Sequence, residues 1–177
     1  MVGLPAVGKT VRAKKIEESV GALRLTPDEW MLPLFGELED EPRRDVVEGR
    51  LIWLAVRALR LGTNVILDFG VWSRAERSGL RDVAHGAGAR FELVYVEVDG
   101  GTQKRQRDLR ESESPQTTVP LSDDVLASYR TRFEVPGDDE LDGTTDDAPP
   151  GGFATWSAWV ARRWPTAIED MSARPKP

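Results

Sequence analysis

Residues 3–10 read Gly-Leu-Pro-Ala-Val-Gly-Lys-Thr, and no other stretch restricts the fold as tightly. Four residues separate two glycines, and Lys-Thr follows the second, which is the P-loop pattern. A loop of this kind wraps a polyphosphate with its backbone N–H groups pointing inward, so it needs residues that tolerate unusual φ/ψ. Gly3, Leu4, Pro5, Ala6, Val7, Gly8, Lys9 and Thr10 are therefore the expected nucleotide-binding residues. Lys9 reaches the β- and γ-phosphates, and the Thr10 hydroxyl ligates Mg²⁺. The helix that begins near Gly8 adds its N-terminal dipole. The other reading, a glycine turn ahead of an amphipathic helix, loses weight against the α/β pattern downstream. A P-loop ordinarily follows a hydrophobic strand, but only Met1 and Val2 precede Gly3. The first strand is thus expected to be truncated or nearly absent, or the chain to begin late.

Residues 64–69 and 91–98 have the β-branched and aromatic composition of buried parallel strands bounded by glycine, and 22–25 is a weaker third. Between them, Asp40 and Pro42 open a helix whose apolar residues Val47, Leu51, Leu54, Ala55 and Ala58 recur at helical spacing. Ser73 with Glu76 forms a capping box for a second helix, reaching about Ala84. Alternation at this spacing predicts an α/β fold, the three-layer P-loop NTPase arrangement of a parallel sheet with helices on both faces. Beyond Gly100 come a basic helical stretch, a helix capped by Ser122, and an acidic, glycine-broken run over 134–147. A Pro-Pro-Gly-Gly linker and a Trp-rich helix follow. The expected organisation is one domain over 1–148, with a lid near 101–118, and a linker with C-terminal helix over 149–177. The stripe of Phe153, Trp156, Trp159 and Val160 suits docking against the domain, with contact to a partner protein as the other reading.

Composition narrows the chemistry. With no Cys and a single His, the chain has no thiolate nucleophile, no Cys-ligated metal and no multi-histidine site. Its net charge of −6 does not recruit nucleic acid in bulk, although local arginines suffice to hold a short 5′ end. No apolar run approaches the roughly 20 residues that cross a bilayer. Lys9 and the glycines interrupt any signal-peptide core, so the expected location is cytoplasmic. His85 is read as a C-terminal helix cation or surface residue, without a functional role.

Four features bear on a reaction. Asp28 follows the short strand at a helix start, where the dipole alone accounts for a carboxylate. Asp68 ends the apolar Val65-Ile66-Leu67 run. A carboxylate there is costly unless paired or facing a cleft, and ligand crevices of open α/β sheets lie at the carboxyl ends of the strands. Its expected partners are Mg²⁺ water, an acceptor hydroxyl, Arg74 or Arg77. The basic stretch from Lys104 to Arg110 is either a solvated helix face or a mobile set of cations that closes over a triphosphate. Trp30 and Trp72 are read either as walls of an acceptor pocket or as core.

The P-loop, with Leu-Thr-Pro-Asp-Glu-Trp-Met at 25–31, Leu-Asp-Phe-Gly-Val-Trp-Ser-Arg-Ala-Glu-Arg at 67–77 and Arg-Phe-Glu-Val-Pro-Gly-Asp-Asp-Glu at 132–140, resembles the small P-loop kinase-like ATP-binding proteins. These often carry the label AAA-family ATPase. Their relatives include the 5′-kinase domain of polynucleotide kinase, chloramphenicol phosphotransferase and zeta toxin. The resemblance spans roughly Gly3 to Glu140 and leaves out 150–177. It implies that Asp28 activates an acceptor hydroxyl, that Asp68 stands near metal and acceptor, and that Arg107 and Arg110 are lid arginines. Their spacing of three keeps Arg105 as an alternative. With Lys9 these are the expected catalytic residues, Thr10 and Asp68 the expected metal residues, and ATP and Mg²⁺ the expected cofactors. The implied activity is transfer of the ATP γ-phosphate to a hydroxyl of a small molecule or a nucleic-acid end. The alternatives are a nucleotide-binding NTPase module without an acceptor, and an inactive relic whose tail makes protein contacts.

Overall fold

The computed structural model of this chain describes residues 1–38, 40–113 and 121–167. In chain order it contains α1 (Lys9–Val20), β1 (Leu23–Leu25), α2 (Asp28–Phe35), α3 (Glu41–Arg60), β2 (Val65–Leu67), α4 (Arg74–Gly86), α5 (Gly100–Glu113), α6 (Asp123–Arg132), α7 (Asp138–Leu141) and α8 (Trp156–Arg163). The helix starts follow local chemistry. Asp40 accepts from the Arg43 N–H at 3.0 Å with Pro42 in the first turn of α3, and Ser73 and Glu76 complete the capping box of α4.

β1 and β2 pair in parallel, Leu23 opposite Val65, Arg24 opposite Ile66 and Leu25 opposite Leu67. The expected first strand survives as one fully buried residue. Val2 forms parallel bridges to Gly70 on one side and Tyr95 on the other. Its N–H donates to the Val94 carbonyl at 2.9 Å, and its carbonyl accepts from the Val96 N–H at 2.9 Å. The spatial order is therefore β1, β2, Val2, Tyr95, with the P-loop leaving from the middle.

The strand expected over 91–98 is the main correction. Among the described residues only Tyr95 bridges, because its neighbour is Val2 and the chain turns away at Gly3. Gly3 has φ of 146°, and a Cβ there would collide with the Val96 carbonyl, so only glycine fits where the chain turns. The result is a mixed α/β architecture with a small parallel sheet of two regular strands, smaller than the expected three-layer sheet.

Two apolar clusters hold the elements. Leu25, Met31, Val47, Leu51 and Ala55 join β1, α2 and α3; Val2, Ile52, Leu80, Val160, Trp164 and Ala167 join the sheet, α3, α4 and the C-terminal segment. Leu67 and Phe69 border both clusters. Each fully buried aliphatic side chain contributes about 1.5–3 kcal/mol. α8 lies on α4, with Val160 and Trp159 against Gly79. The acidic run is folded rather than loose. Arg74 donates to Asp139 and Asp147, Arg77 forms a buried bidentate pair with Glu140 at 2.7 and 2.9 Å, and Arg81 donates to the Glu140 carbonyl. Among the described residues, no helix is long and apolar enough to cross a membrane.

Candidate nucleotide and acceptor cleft

The P-loop is bent as a phosphate cradle must be. Gly3, Ala6 and Gly8 have positive φ (146°, 59° and 89°), and Val7 between them is buried as the loop's anchor. An alanine in the left-handed region costs roughly 1–2 kcal/mol, which the surroundings must offset. Part of that support comes from α5, where buried Gln103 donates to the Pro5 carbonyl at 2.9 Å and accepts from Arg130 at 2.6 Å.

Lys9 is half-buried, and its Nζ donates to the Leu4 carbonyl at 2.8 Å, so the ammonium sits inside the loop. Burial lowers its pKa to about 8, against the opposing pull of Asp68 and Asp28 and with smaller lowering by Arg110 and Arg44. Thr10 is exposed in the first turn of α1, beside the loop.

Asp68 follows β2, its N–H donating to the Leu25 carbonyl at 2.9 Å. Its carboxylate is buried, and Oδ2 accepts no hydrogen bond; the nearest guanidinium nitrogen, Arg24 Nη1, stands 3.9 Å away. Arg74 and Arg77 are engaged with the acidic segment instead. A buried, orphaned carboxylate oxygen and an exposed threonine hydroxyl on residues that line one cavity suit hydrated Mg²⁺. That ion keeps several waters and uses few protein ligands. Among the described residues, no group of three or more His, Cys, Asp or Glu side chains forms a metal cage.

Asp28 opens α2 and accepts from Arg44 Nη1 at 2.9 Å. Arg44 Nε donates to Glu48 at 3.2 Å, and the other Glu48 oxygen accepts from Trp164 Nε1 at 2.9 Å. Burial raises the Glu48 pKa, while Arg44 and Trp164 oppose the rise. This relay ties Asp28 to the C-terminal segment. Arg163 beside it donates to Glu76 at 2.8 Å and to Asp45 at 2.5 Å.

The basic helix divides. Arg110 and Gln106 face the cleft, and the orphaned Gln106 Oε1 lies beside Gly8. Arg107 points to the other side, where it donates to the Leu121 carbonyl at 3.1 Å and to Asp123 at 2.5 Å, tying α5 to the start of α6. Arg105 is held by Thr102. The expected lid residues 114–118 lie outside the described residues. On α6, Arg132 stacks over Trp72 at 5.6 Å, and Tyr129 meets the same ring at 4.8 Å. Gly70 leaves open the space between Trp72 and Lys9. Trp30 is exposed on α2 and does not line the cleft.

Lys9, Asp28, Asp68, Arg110, Trp72 and Trp164 line a single cavity of about 1450 Å³. Pockets for one small ligand typically hold about 300–1,000 Å³, so there is room for a second molecule. Sequence reasoning missed Arg44, Glu48, Gln103, Gln106, Arg132 and Trp164. Gln103, Gln106 and Arg110 recur at helical spacing on the P-loop side of α5, a signal present in the sequence. A family model described as an AAA domain matches residues 1–136. No curated protein matches the chain.

Proposed function

The chain belongs to the AAA domain family, and from that premise we propose that it is an ATP-dependent phosphotransferase passing the γ-phosphate to a hydroxyl held at the Asp28 end of the cleft. The observation that carries this reading is the one continuous cavity running from Lys9 to Asp28, large enough for two substrates. A P-loop whose backbone N–H groups bind phosphate needs little covalent help from the protein, because phosphoryl transfer is governed by positioning and charge. Lys9 would exchange the Leu4 carbonyl for phosphate oxygens. Arg110, with Arg132 beyond Trp72, would neutralise the transferring group. Asp28 would orient the acceptor hydroxyl and take its proton late, once Arg44 releases part of its hold. Thr10 and Asp68 would hold Mg²⁺, which when bound supplies charge neutralisation between the β- and γ-phosphates. The buried Val2 stub, bonded on both sides, argues against an inactive relic, because it anchors the loop from within the sheet.

The ion pair between Asp28 and Arg44 favours a second reading, an NTPase module in which Asp28 serves structure only. Two substitutions separate them. Asp28→Asn should leave Mg-ATP affinity within a few-fold and cut transfer to an acceptor by about 10²-fold or more, the scale of general-base catalysis. Thr10→Ala should weaken Mg-ATP binding itself. If Asp28→Asn changes neither affinity nor turnover, the carboxylate is a helix-start group and the second reading stands.

A further inference from the structure

Trp72 lies between β2 and α4, and its place is fixed from several sides. Its backbone N–H donates to Glu76 Oε2 at 3.1 Å, and its carbonyl accepts from Arg77 Nη1 at 2.9 Å and from the Glu134 N–H at 3.1 Å. Arg163, from the C-terminal segment, donates to the other Glu76 oxygen at 2.8 Å. Tyr129 packs against the indole at 4.8 Å between ring centroids, and the Arg132 guanidinium lies over it at 5.6 Å. The ring is therefore held in place, half-buried and part of the cavity wall.

Its N–H is the exception in that network. A packed indole N–H ordinarily finds an acceptor. Trp156 donates to the Asp147 carbonyl and Trp164 to Glu48, each at 2.9 Å. The Trp72 Nε1–H has no acceptor among the described residues. It borders the same space as the P-loop lysine, because a Cβ added at Gly70 would lie 3.3 Å from Trp72 Nε1 and 3.7 Å from Lys9 Cε. With φ of 92° and no side chain, Gly70 keeps that point open. An unpaired donor on a fixed ring and the Lys9 side chain thus flank one space beside the P-loop.

We infer that Trp72 is a further catalytic residue, whose indole N–H donates to an oxygen of the transferring phosphoryl group. The inference rests on the phosphotransferase reading above. The transition state of phosphoryl transfer spreads charge over three equatorial oxygens, and a donor already in place there needs no reorganisation. In the step the acceptor oxygen forms a bond to the γ-phosphorus, the bond from that phosphorus to the β,γ-bridging oxygen breaks, and ADP leaves with the electron pair. The hydroxyl proton passes to Asp28, and the indole keeps its proton and forms no covalent bond. Lys9 supplies charge at this point, and the neutral N–H supplies direction.

The test is calorimetry of Mg-ADP alone and of Mg-ADP with aluminium fluoride, a planar stand-in for the transferring group, on wild type and Trp72→Phe. Phenylalanine keeps a ring against Tyr129 and Arg132 and removes the indole edge. Wild type should bind the aluminium fluoride complex more tightly than Mg-ADP alone. Trp72→Phe should hold Mg-ADP within about twofold and lose about 10²-fold in affinity for the complex, the scale of removing one transition-state donor. β-(3-Benzothienyl)alanine in place of Trp72 fills nearly the same volume without the N–H. It should reproduce that loss with an unchanged thermal midpoint, whether or not Trp72→Phe folds. Unchanged affinity for the complex in these variants, or equal losses for Mg-ADP and for the complex, overturns the inference, because the ring then acts through packing alone. A wild type that does not bind Mg-ADP, or gains nothing from aluminium fluoride, overturns the phosphotransferase reading together with it. The wild-type titrations alone tell the two failures apart.

Discussion

Lys9 shows how one residue couples the fold to the ligand. Its pKa lies near 8 in the folded chain and near 10.5 in the unfolded one. Between those values the unfolded state binds more protons, so the Lys9 contribution makes stability rise with pH across that window. Below about pH 8 the ammonium is charged in both states, and its burial penalty is fully present. Lys9→Ala should remove this rise, seen by comparing denaturation midpoints of the two proteins from pH 7 to 10. Phosphate oxygens favour the ammonium, so Mg-ATP binding at about pH 9 should take up a proton, measurable as a calorimetric heat that varies with buffer ionisation enthalpy. Trp164 makes the complementary case for a residue outside the matched family segment. Trp164→Phe removes the Nε1–H donor and leaves the buried Glu48 short of a partner, at a cost of about 1–3 kcal/mol in stability. Arg44 would then be drawn toward Glu48, and transfer should fall more than Mg-ATP affinity. Equal losses in both would mean that Trp164 acts only through packing.

At the scale of elements, legibility followed locality. Caps are short-range chemistry, so the starts of α3, α4 and α6 could be read from Asp40, Ser73 and Ser122. The division of α5 could not, because Arg107 and Arg110 differ only in which neighbour their face of the helix meets. The neighbour of Arg107 is Asp123, 16 residues along the chain. The same holds for the acidic run after Glu134. Its glycines and charges read as an acidic, broken run with no stated partner, yet Arg74, Arg77 and Arg81 sit at helical spacing on α4 and bind it. Arg77 and Glu140 are both almost fully buried. Arg77→Ala would strand a buried carboxylate and should cost about 3–5 kcal/mol by chemical denaturation. Changing both partners to apolar residues of similar volume should recover much of that loss.

Across the whole molecule, the sequence motif and the sheet had to be reconciled at a single residue. The P-loop pattern implied a strand before Gly3, and Val2 fills that place with hydrogen bonds to Val94 and Val96. The run over 91–98 has strand composition but only Val2 to pair with, so composition alone overstated the sheet. The candidate cleft was legible where a motif names its lining, because Lys9, Thr10, Asp28 and Asp68 border one cavity. It was not legible where three elements meet, at Arg44, Glu48 and Trp164, because those residues are joined only by tertiary packing. The most direct test of the account is the thermal shift on adding Mg-ATP to wild type and to Lys9→Ala. Nucleotide at 100 times its dissociation constant should stabilise the wild type by about 2.7 kcal/mol by mass action, and Lys9→Ala should lose most of that gain. No shift at millimolar Mg-ATP, or an equal shift in both proteins, would contradict it.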